Sequence, residues 1–301
     1  MTKLRPLLVG IVTVIVVGIA FALFLSQKGA LPTPTPEEPP AIVPAPEETV
    51  NRTTIGTSVE GRTIEAFTFG TGDTHLLFVG GMHGGYEWNS VVLAEEFIGR
   101  LTAKEIALPE GIRISVIPNL NPDGVFKVLG LTSGFSTADA LAVAPEAVAA
   151  GRFNANGVDL NRNFDCKWAP ESTWRGQVVS AGTAAFSEPE ARALRDYVLQ
   201  NSPEAVVFWH SKANTVYASE CYEGVLPDTR TLMQTYATAA NYGAVETFDA
   251  YPITGDAEGW LASLGIPAIT VELETRDSSE WSRNLAGITA TLNLYETKLA
   301  R

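Results

Sequence analysis

The chain has 301 residues, 46% of them hydrophobic, and a formal net charge of −13. That is enough apolar chain for one large domain or two small ones, and the acidic balance excludes nucleic acid as a partner, because phosphate recognition needs a basic footprint. With only two cysteines and three histidines, the candidate nucleophiles and metal ligands can be weighed one by one.

From the N-terminus, Lys3 and Arg5 precede Leu7 to Leu25, nineteen residues without a charge. At 1.5 Å per residue such a helix is roughly 28 Å long, close to the ~30 Å hydrocarbon core of a bilayer. It is longer than the apolar region of a signal peptide, usually about 7–15 residues. Basic residues on its short N-terminal side favour an N-inside orientation. Residues 1–30 are therefore expected to hold a transmembrane anchor with the rest of the chain outside the cytoplasm, a cleaved signal peptide being the alternative. Residues 31–52 contain LPTPTPEEPPAIVPAPEE, seven prolines in eighteen residues. Such a tract adopts extended, semi-rigid conformations and reads as a stalk. Residues 53–301 remain as one domain.

Within that domain, pieces of strand and helix alternate. IGTSVEGRTIEAFTFG predicts a hairpin around Glu60-Gly61, and His75 to Val79 a short apolar strand, with His75 itself a surface or turn residue. Ser90 to Leu101 carries apolar residues at helical spacing. Ile112 to Pro118 reads as a strand. Ser187-Glu188-Pro189-Glu190 has the pattern of a capping box, with serine as N-cap, opening a helix to about Gln200. Ala205 to His210 and Ala268 to Leu273 are near-continuous apolar strands, and Asp228–Asn241 and Asn284–Leu299 are expected helices. The pattern implies an α/β fold, a single domain with a central, mixed and largely buried β-sheet flanked by helices.

The polar residues of interest fall at strand ends: His83 after LLFVG, Asn119 after ISVIP, His210 closing AVVFW, and Glu272 near the end of AITVEL. In open α/β sheets, ligands bind beyond the carboxyl ends of the strands. His83, Glu87 and His210 form a His/Glu/His set, which leaves the fourth position of a zinc ion open, as catalytic sites do. Taken singly, each has a plain structural explanation, a hydrogen-bonded histidine or a carboxylate at a helix start. The nucleophile elbow G-x-S-x-G is absent, which argues against a serine hydrolase. The phosphate-cradling glycine motifs are absent too. Arg152, Asn161 and Arg162 gather in RFNANGVDLNRNF, and arginine beside asparagine is a good carboxylate receptor. Glu272 lies in an apolar strand, where an unpaired carboxylate is costly. Cys166 and Cys221 are expected to form a disulfide in an exported domain, two buried thiols being the alternative.

These blocks together resemble the carboxypeptidase A-like zinc carboxypeptidases. HGGYEWN, NPDG, RFNANGVDLNRNF, FSEPEA, FWHS, and YPITGDAEGW followed by TVELE occur in that family's order over about Ile55 to Thr275. The wording NANGVDLNRNF and SEPE is closer to the bacterial branch that includes murein peptide amidases. The resemblance implies one Zn2+ held by His83, Glu87 and His210. It implies that Arg152 polarises the scissile carbonyl, that Asn161 and Arg162 grip the substrate's free carboxylate, and that Tyr251 closes over it. Glu272 is implied as general base and then general acid. It points to Glu258 as a residue of the side-chain pocket, favouring basic or diaminopimelate leaving residues. The expected partner is a peptide with a free C-terminal carboxylate, including cell-wall stem peptides. An acylase of small amino acids and an inactive displayed binding module are the competing readings. One departure is plain: the family pattern is H-x-x-E, and here it is H-x-x-x-E.

Overall fold

The computed structural model describes residues 50–249 and 251–299. The expected anchor, Leu7 to Leu25, and all but the last residues of the expected stalk lie outside them. Among the described residues no helix is long and apolar enough to cross a membrane.

Among the described residues, ten strands and eight α-helices follow in chain order. The strands are β1 (Asn51–Thr57), β2 (Thr63–Phe69), β3 (Thr74–Val79), β4 (Ile112–Ile117), β5 (Glu171–Trp174), β6 (Gln177–Ser180), β7 (Ala205–Ser211), β8 (Thr215–Ala218), β9 (Gly243–Val245) and β10 (Ala268–Leu273). The helices are α1 (Trp88–Thr102), α2 (Pro122–Leu129), α3 (Thr137–Leu141), α4 (Pro145–Ala149), α5 (Pro189–Asn201), α6 (Pro227–Ala240), α7 (Ala257–Ser263) and α8 (Trp281–Leu299). Eight strands form one mixed sheet in the order β1-β2-β4-β3-β7-β10-β8-β9, and β5 and β6 form a separate hairpin. The four central strands β4, β3, β7 and β10 are mutually parallel, so their carboxyl ends open on one edge of the sheet.

Helices cover both faces, and the alternation of side chains divides the core accordingly. Leu76, Phe78, Val207, Trp209, Ile269 and Val271 face one layer with Phe97 of α1, Tyr236 of α6 and Ile288 of α8. Leu77, Val79, Val206 and Phe208 face the other with Leu194 of α5 and Leu261 of α7. Burial on both faces is why β3, β7 and β10 are continuous apolar runs rather than alternating ones.

Four details differ from the sequence expectation. The first strand starts at Asn51, inside the expected stalk, because Asn51 pairs with Thr68 and Arg52 with Phe67. The Arg52 guanidinium also forks onto the Glu65 carboxylate, 2.7 Å to each oxygen. Ser187 does not cap α5; the N-cap is Glu188, with no side-chain capping bond. The Ser187 hydroxyl accepts from Asn163 and donates to Glu188, while Glu190 turns to Val59 N–H and Asn154, so tertiary partners outcompete the local box. His75 is buried, not at the surface. Its Nδ1 faces the Asn201 carbonyl at 3.3 Å and its Nε2 lies 2.9 Å from Ser115 Oγ, tying β3 to β4 and to the end of α5. Burial, helped by the positive charge of Arg113, holds its pKa down at about 4, so the ring is neutral. Finally, α8 begins at Trp281 rather than Asn284, whose side chain is buried and donates to the Ser279 carbonyl in the turn before the helix.

Candidate active site

The site stands at the carboxyl edge of the four parallel strands. Glu272 on β10 pairs in register with His210 on β7, which sets the two side chains side by side on one face of the sheet. The chain leaving β3 is tied to the end of β4: Gly80 N–H donates to Ile117 O, and Asn121 N–H donates to Gly81 O. His83 then leads into a short 3-10 turn, Gly84–Glu87, that runs directly into α1.

Two glycines make that turn possible. Gly84 sits at φ +48°, and an added Cβ there would meet Gly151 O at 2.7 Å and Gly124 Cα at 2.9 Å. A Cβ on Gly85 would meet Val128 Cγ2 at 2.5 Å. The turn therefore packs backbone against backbone on α2 and the segment after α4. A 3-10 turn is wound tighter than an α-helix, and it takes up the extra residue between His83 and Glu87 without carrying Glu87 away from the site.

His83, Glu87 and His210 are all buried, and they offer ligand atoms that lie within 4.8 Å of one another. His210 Nδ1 is 3.0 Å from Glu87 Oε2, and the two imidazole centroids are 4.9 Å apart. His83 Nδ1 is buried with no hydrogen-bond partner. Burial, together with the nearby Arg152 charge, keeps the His83 pKa well below its usual value, so the ring is the neutral form that ligates metal. Burial opposes charge on His210 as well. There the carboxylates of Glu258 and Glu87, 3.3 Å from Nε2 and 3.0 Å from Nδ1, outweigh it and push the pKa up to about 10. The position thus favours a cation, and two imidazoles with one carboxylate fit a divalent zinc ion.

Around this set, Arg152 is buried, and its Nε and Nη2 donate to Asp159 Oδ2 at 2.9 and 2.8 Å. Its Nη1 lies 3.9 Å from Glu87 Oε1, and its guanidinium stacks 4.5 Å over the Trp174 ring. Asp159 Oδ1 also stands 3.5 Å from His83 Nδ1, without a hydrogen bond to it, so the carboxylate that holds Arg152 lies beside a candidate ligand. Asn161 Oδ1 accepts from Ala257 N–H at 2.9 Å. Arg162 is buried beside it, with Nε lacking any partner. Glu272 faces the cavity; burial first, and then the Glu87 charge, push its pKa up to about 7.

His83, Glu87, Arg152, Asn161, Arg162, His210 and Glu272 line one cavity of about 670 Å³, shared with Tyr251, Asp256 and Glu258. Tyr251 packs edge-on to Phe248 with ring centroids 4.8 Å apart. Glu258, in the first turn of α7, accepts from Thr270 Oγ1 at 3.0 Å and lies 3.3 Å from His210 Nε2. It therefore touches the edge of a candidate ligand as well as the cavity. Cys166, on the cavity wall, is joined to Cys221 in a disulfide that closes a separation of 55 residues. In the loop-closure picture a link of that span constrains the unfolded chain by about 4 kcal/mol.

All nine candidate residues line this cavity; Tyr86, Trp174, Arg175 and Arg276 line it too and were not marked in the sequence, nor was Asp159, which stands outside the lining and holds Arg152. Asp159 had a signal, an acid inside the VDLNR block. The rest are single residues in loops and a hairpin, with no period or spacing to mark them.

The model of the zinc carboxypeptidase family matches residues 44–281. The chain belongs to that family. Among curated relatives, it is 23% identical over 241 residues to gamma-D-glutamyl-L-diamino acid endopeptidase 1 of Lysinibacillus sphaericus, covering 73% of this chain and 60% of that protein. It is 26% identical to carboxypeptidase B of Astacus astacus, covering 81% and 78%. Among solved structures, murein-tripeptide amidase from Escherichia coli O157 superposes with a TM-score of 0.58 at 26% identity, covering 82% of this chain and 92% of that one.

Proposed function

We propose that this chain is a zinc-dependent metallocarboxypeptidase that hydrolyses the C-terminal amide bond of peptides, including cell-wall stem peptides with basic or diaminopimelate C-termini. The observation that carries the reading is the coincidence, in one cavity, of the buried His83–Glu87–His210 set with the partnerless Nε of Arg162. The first fits a metal, and the second is a cation prepared for a carboxylate.

His83, Glu87 and His210 would hold a zinc ion, with the Asp159 and Glu258 carboxylates beside the two imidazoles. Bound zinc supplies a Lewis acid and an acidified water near neutral pH. Glu272 takes the proton from the attacking water and delivers it to the leaving amine. Arg152, fixed by Asp159 and by stacking on Trp174, faces the developing negative charge of the carbonyl oxygen. Asn161 and Arg162 bind the terminal carboxylate, and Tyr251 closes the cavity over the substrate. Asp256 and Glu258 make the wall beside Arg162 acidic, which favours an amino-bearing leaving residue. Wall peptides also agree with the names of the Lysinibacillus and Escherichia relatives. The proposed setting is outside the cytoplasm, with residues 7–25 as membrane anchor and the proline-rich tract as stalk.

The test is a set of peptides ending in Lys, Phe or diaminopimelate, each as free acid and as C-terminal amide. The free acids are expected to be cleaved at least about 100-fold faster in kcat/KM, because a charge-assisted bidentate contact is lost in the amide. Arg162→Ala should erase that preference. Equal cleavage of acids and amides by the unaltered chain overturns the exopeptidase assignment.

A further inference from the structure

A second cavity, of about 610 Å³, opens at the edge of the sheet opposite the candidate active site. Ser202 to Glu204 lead into β7 and Leu264 to Pro267 into β10. The cavity therefore lies at the amino ends of the two strands whose carboxyl ends carry His210 and Glu272. At ~3.3 Å per residue, β7 sets Glu204 roughly 20 Å from His210. A third wall is Leu226 to Asp228, where α6 starts, and Tyr295 and Lys298 of α8 complete the enclosure. These connections are tied down. Val206 N–H donates to Pro267 O at 2.9 Å, Glu204 N–H to His75 O at 2.8 Å, and Ile266 N–H to Leu261 O at 3.0 Å.

Much of the wall is apolar, with Pro203, Leu226, Ile266 and Pro267 beside Tyr295. Tyr295 is 2% exposed, and its hydroxyl is buried with no hydrogen-bond partner. A buried polar group left unpaired is costly, and native structures keep few of them. Burial first, and then the charges of Asp228 and Glu204, push its pKa up, so it stays a hydroxyl that can both donate and accept. Asp228 Oδ2 pairs with Lys298 Nζ at 2.9 Å, and that ammonium stands 4.8 Å over the Tyr295 ring. Glu204, exposed at the mouth, forms no ion pair among the described residues. Two carboxylates thus stand against one ammonium, and the uncompensated charge is negative. An anion finds no free cation among the lining residues. Lys298 is taken, and the start of α6 already carries Asp228, which answers the helix dipole.

We propose that this cavity is a second binding site, for an aliphatic ammonium group, with the ammonium between the Glu204 carboxylate and the Tyr295 hydroxyl and the alkyl stem against Pro203, Leu226, Ile266 and Pro267. Lys298 displays the same chemistry within the chain: an ammonium on an alkyl stem, over the Tyr295 ring and beside a carboxylate. The site goes beyond the peptidase reading and does not rest on it. The ammonium has two chemical sources, a free aliphatic diamine or the side chain of a lysyl peptide.

The experiment is calorimetric titration of the purified chain with 1,5-diaminopentane and with acetyl-Lys N-methylamide, beside pentan-1-ol and pentanoate as neutral and anionic counterparts. At least one ammonium ligand is expected to bind at least about 10-fold more tightly than both counterparts, the scale of one hydrogen bond to a charged group. Which of the two binds identifies the source. The catalytic cavity also holds carboxylates, Asp256 and Glu258 among them, so variants locate the site. Tyr295→Phe removes only a buried hydroxyl without a partner, so Tm should hold or rise while affinity falls at least about 5-fold. Glu204→Gln, altered at the exposed mouth, should weaken binding in the same direction. Glu258→Gln, in the catalytic cavity, should leave the titration unchanged. Equal binding of ammonium, alcohol and carboxylate would reveal an apolar cleft without charge preference and overturn the site. Affinity unchanged in either Tyr295→Phe or Glu204→Gln, or lost in Glu258→Gln, would overturn it as well.

Discussion

Replacing Glu272 by glutamine is expected to lower kcat on a peptide substrate by about 10²–10⁴-fold, the usual contribution of a positioned general base, while zinc content stays unchanged. The substitution keeps the shape of the side chain beside His210 but removes its capacity to accept a proton. The carboxylate stands in register with His210 at the open end of β10 and faces the cavity. Burial and the charge of Glu87 push its pKa up to about 7. The sign follows: below that value the group is protonated and idle, and above it the base form dominates. In the unaltered chain kcat/KM should therefore rise with pH along an acidic limb, and a cation held by His83, Glu87 and His210 draws that limb to lower pH. The limb should be missing from Glu272→Gln. A variant that retains more than a tenth of kcat would remove Glu272 from the chemistry.

The second large effect concerns Glu87. Glu87→Ala is expected to weaken zinc binding by more than about 100-fold, since even loss of an outer partner of a metal ligand costs 10–100-fold. The family pattern H-x-x-E makes this residue the test case for the longer H-x-x-x-E spacing. The structure accommodates the added residue in the turn Gly84–Glu87, where neither Gly84 nor Gly85 has room for a Cβ. Glu87 consequently remains 3.0 Å from His210 Nδ1. Competition with a chelator of known affinity measures the change. Unchanged affinity in Glu87→Ala would mean that the longer spacing had cost the site its carboxylate ligand.

The strands that build the site were legible because they are buried on both faces. Ala268 to Leu273 is predicted and found with the same ends, and Ala205 to His210 is found one residue longer. Short or half-exposed elements carried no comparable signal: β5, β6, β8 and β9 are three or four residues each. Local patterns failed where a tertiary partner competed for the same atoms. Ser187 reads as an N-cap, but Asn163 and Glu188 occupy its hydroxyl. His75 reads as a turn residue in the absence of a partner nearby in sequence, yet Ser115 and Asn201 supply partners 40 and 126 residues away. The candidate ligands and carboxylate receptors were legible as blocks of text. The contacts that bring Arg175 and Arg276 to Tyr86 were not, since only the folded chain creates them.

The central claim, that one zinc ion held by His83, Glu87 and His210 drives hydrolysis at peptide C-termini, is tested most directly by metal removal and return. The purified chain should contain one zinc, lose hydrolysis of a free-acid peptide on dialysis against a chelator, and regain it with one equivalent of zinc. Full activity in the metal-free protein, or activity that returns only with several equivalents, would contradict it.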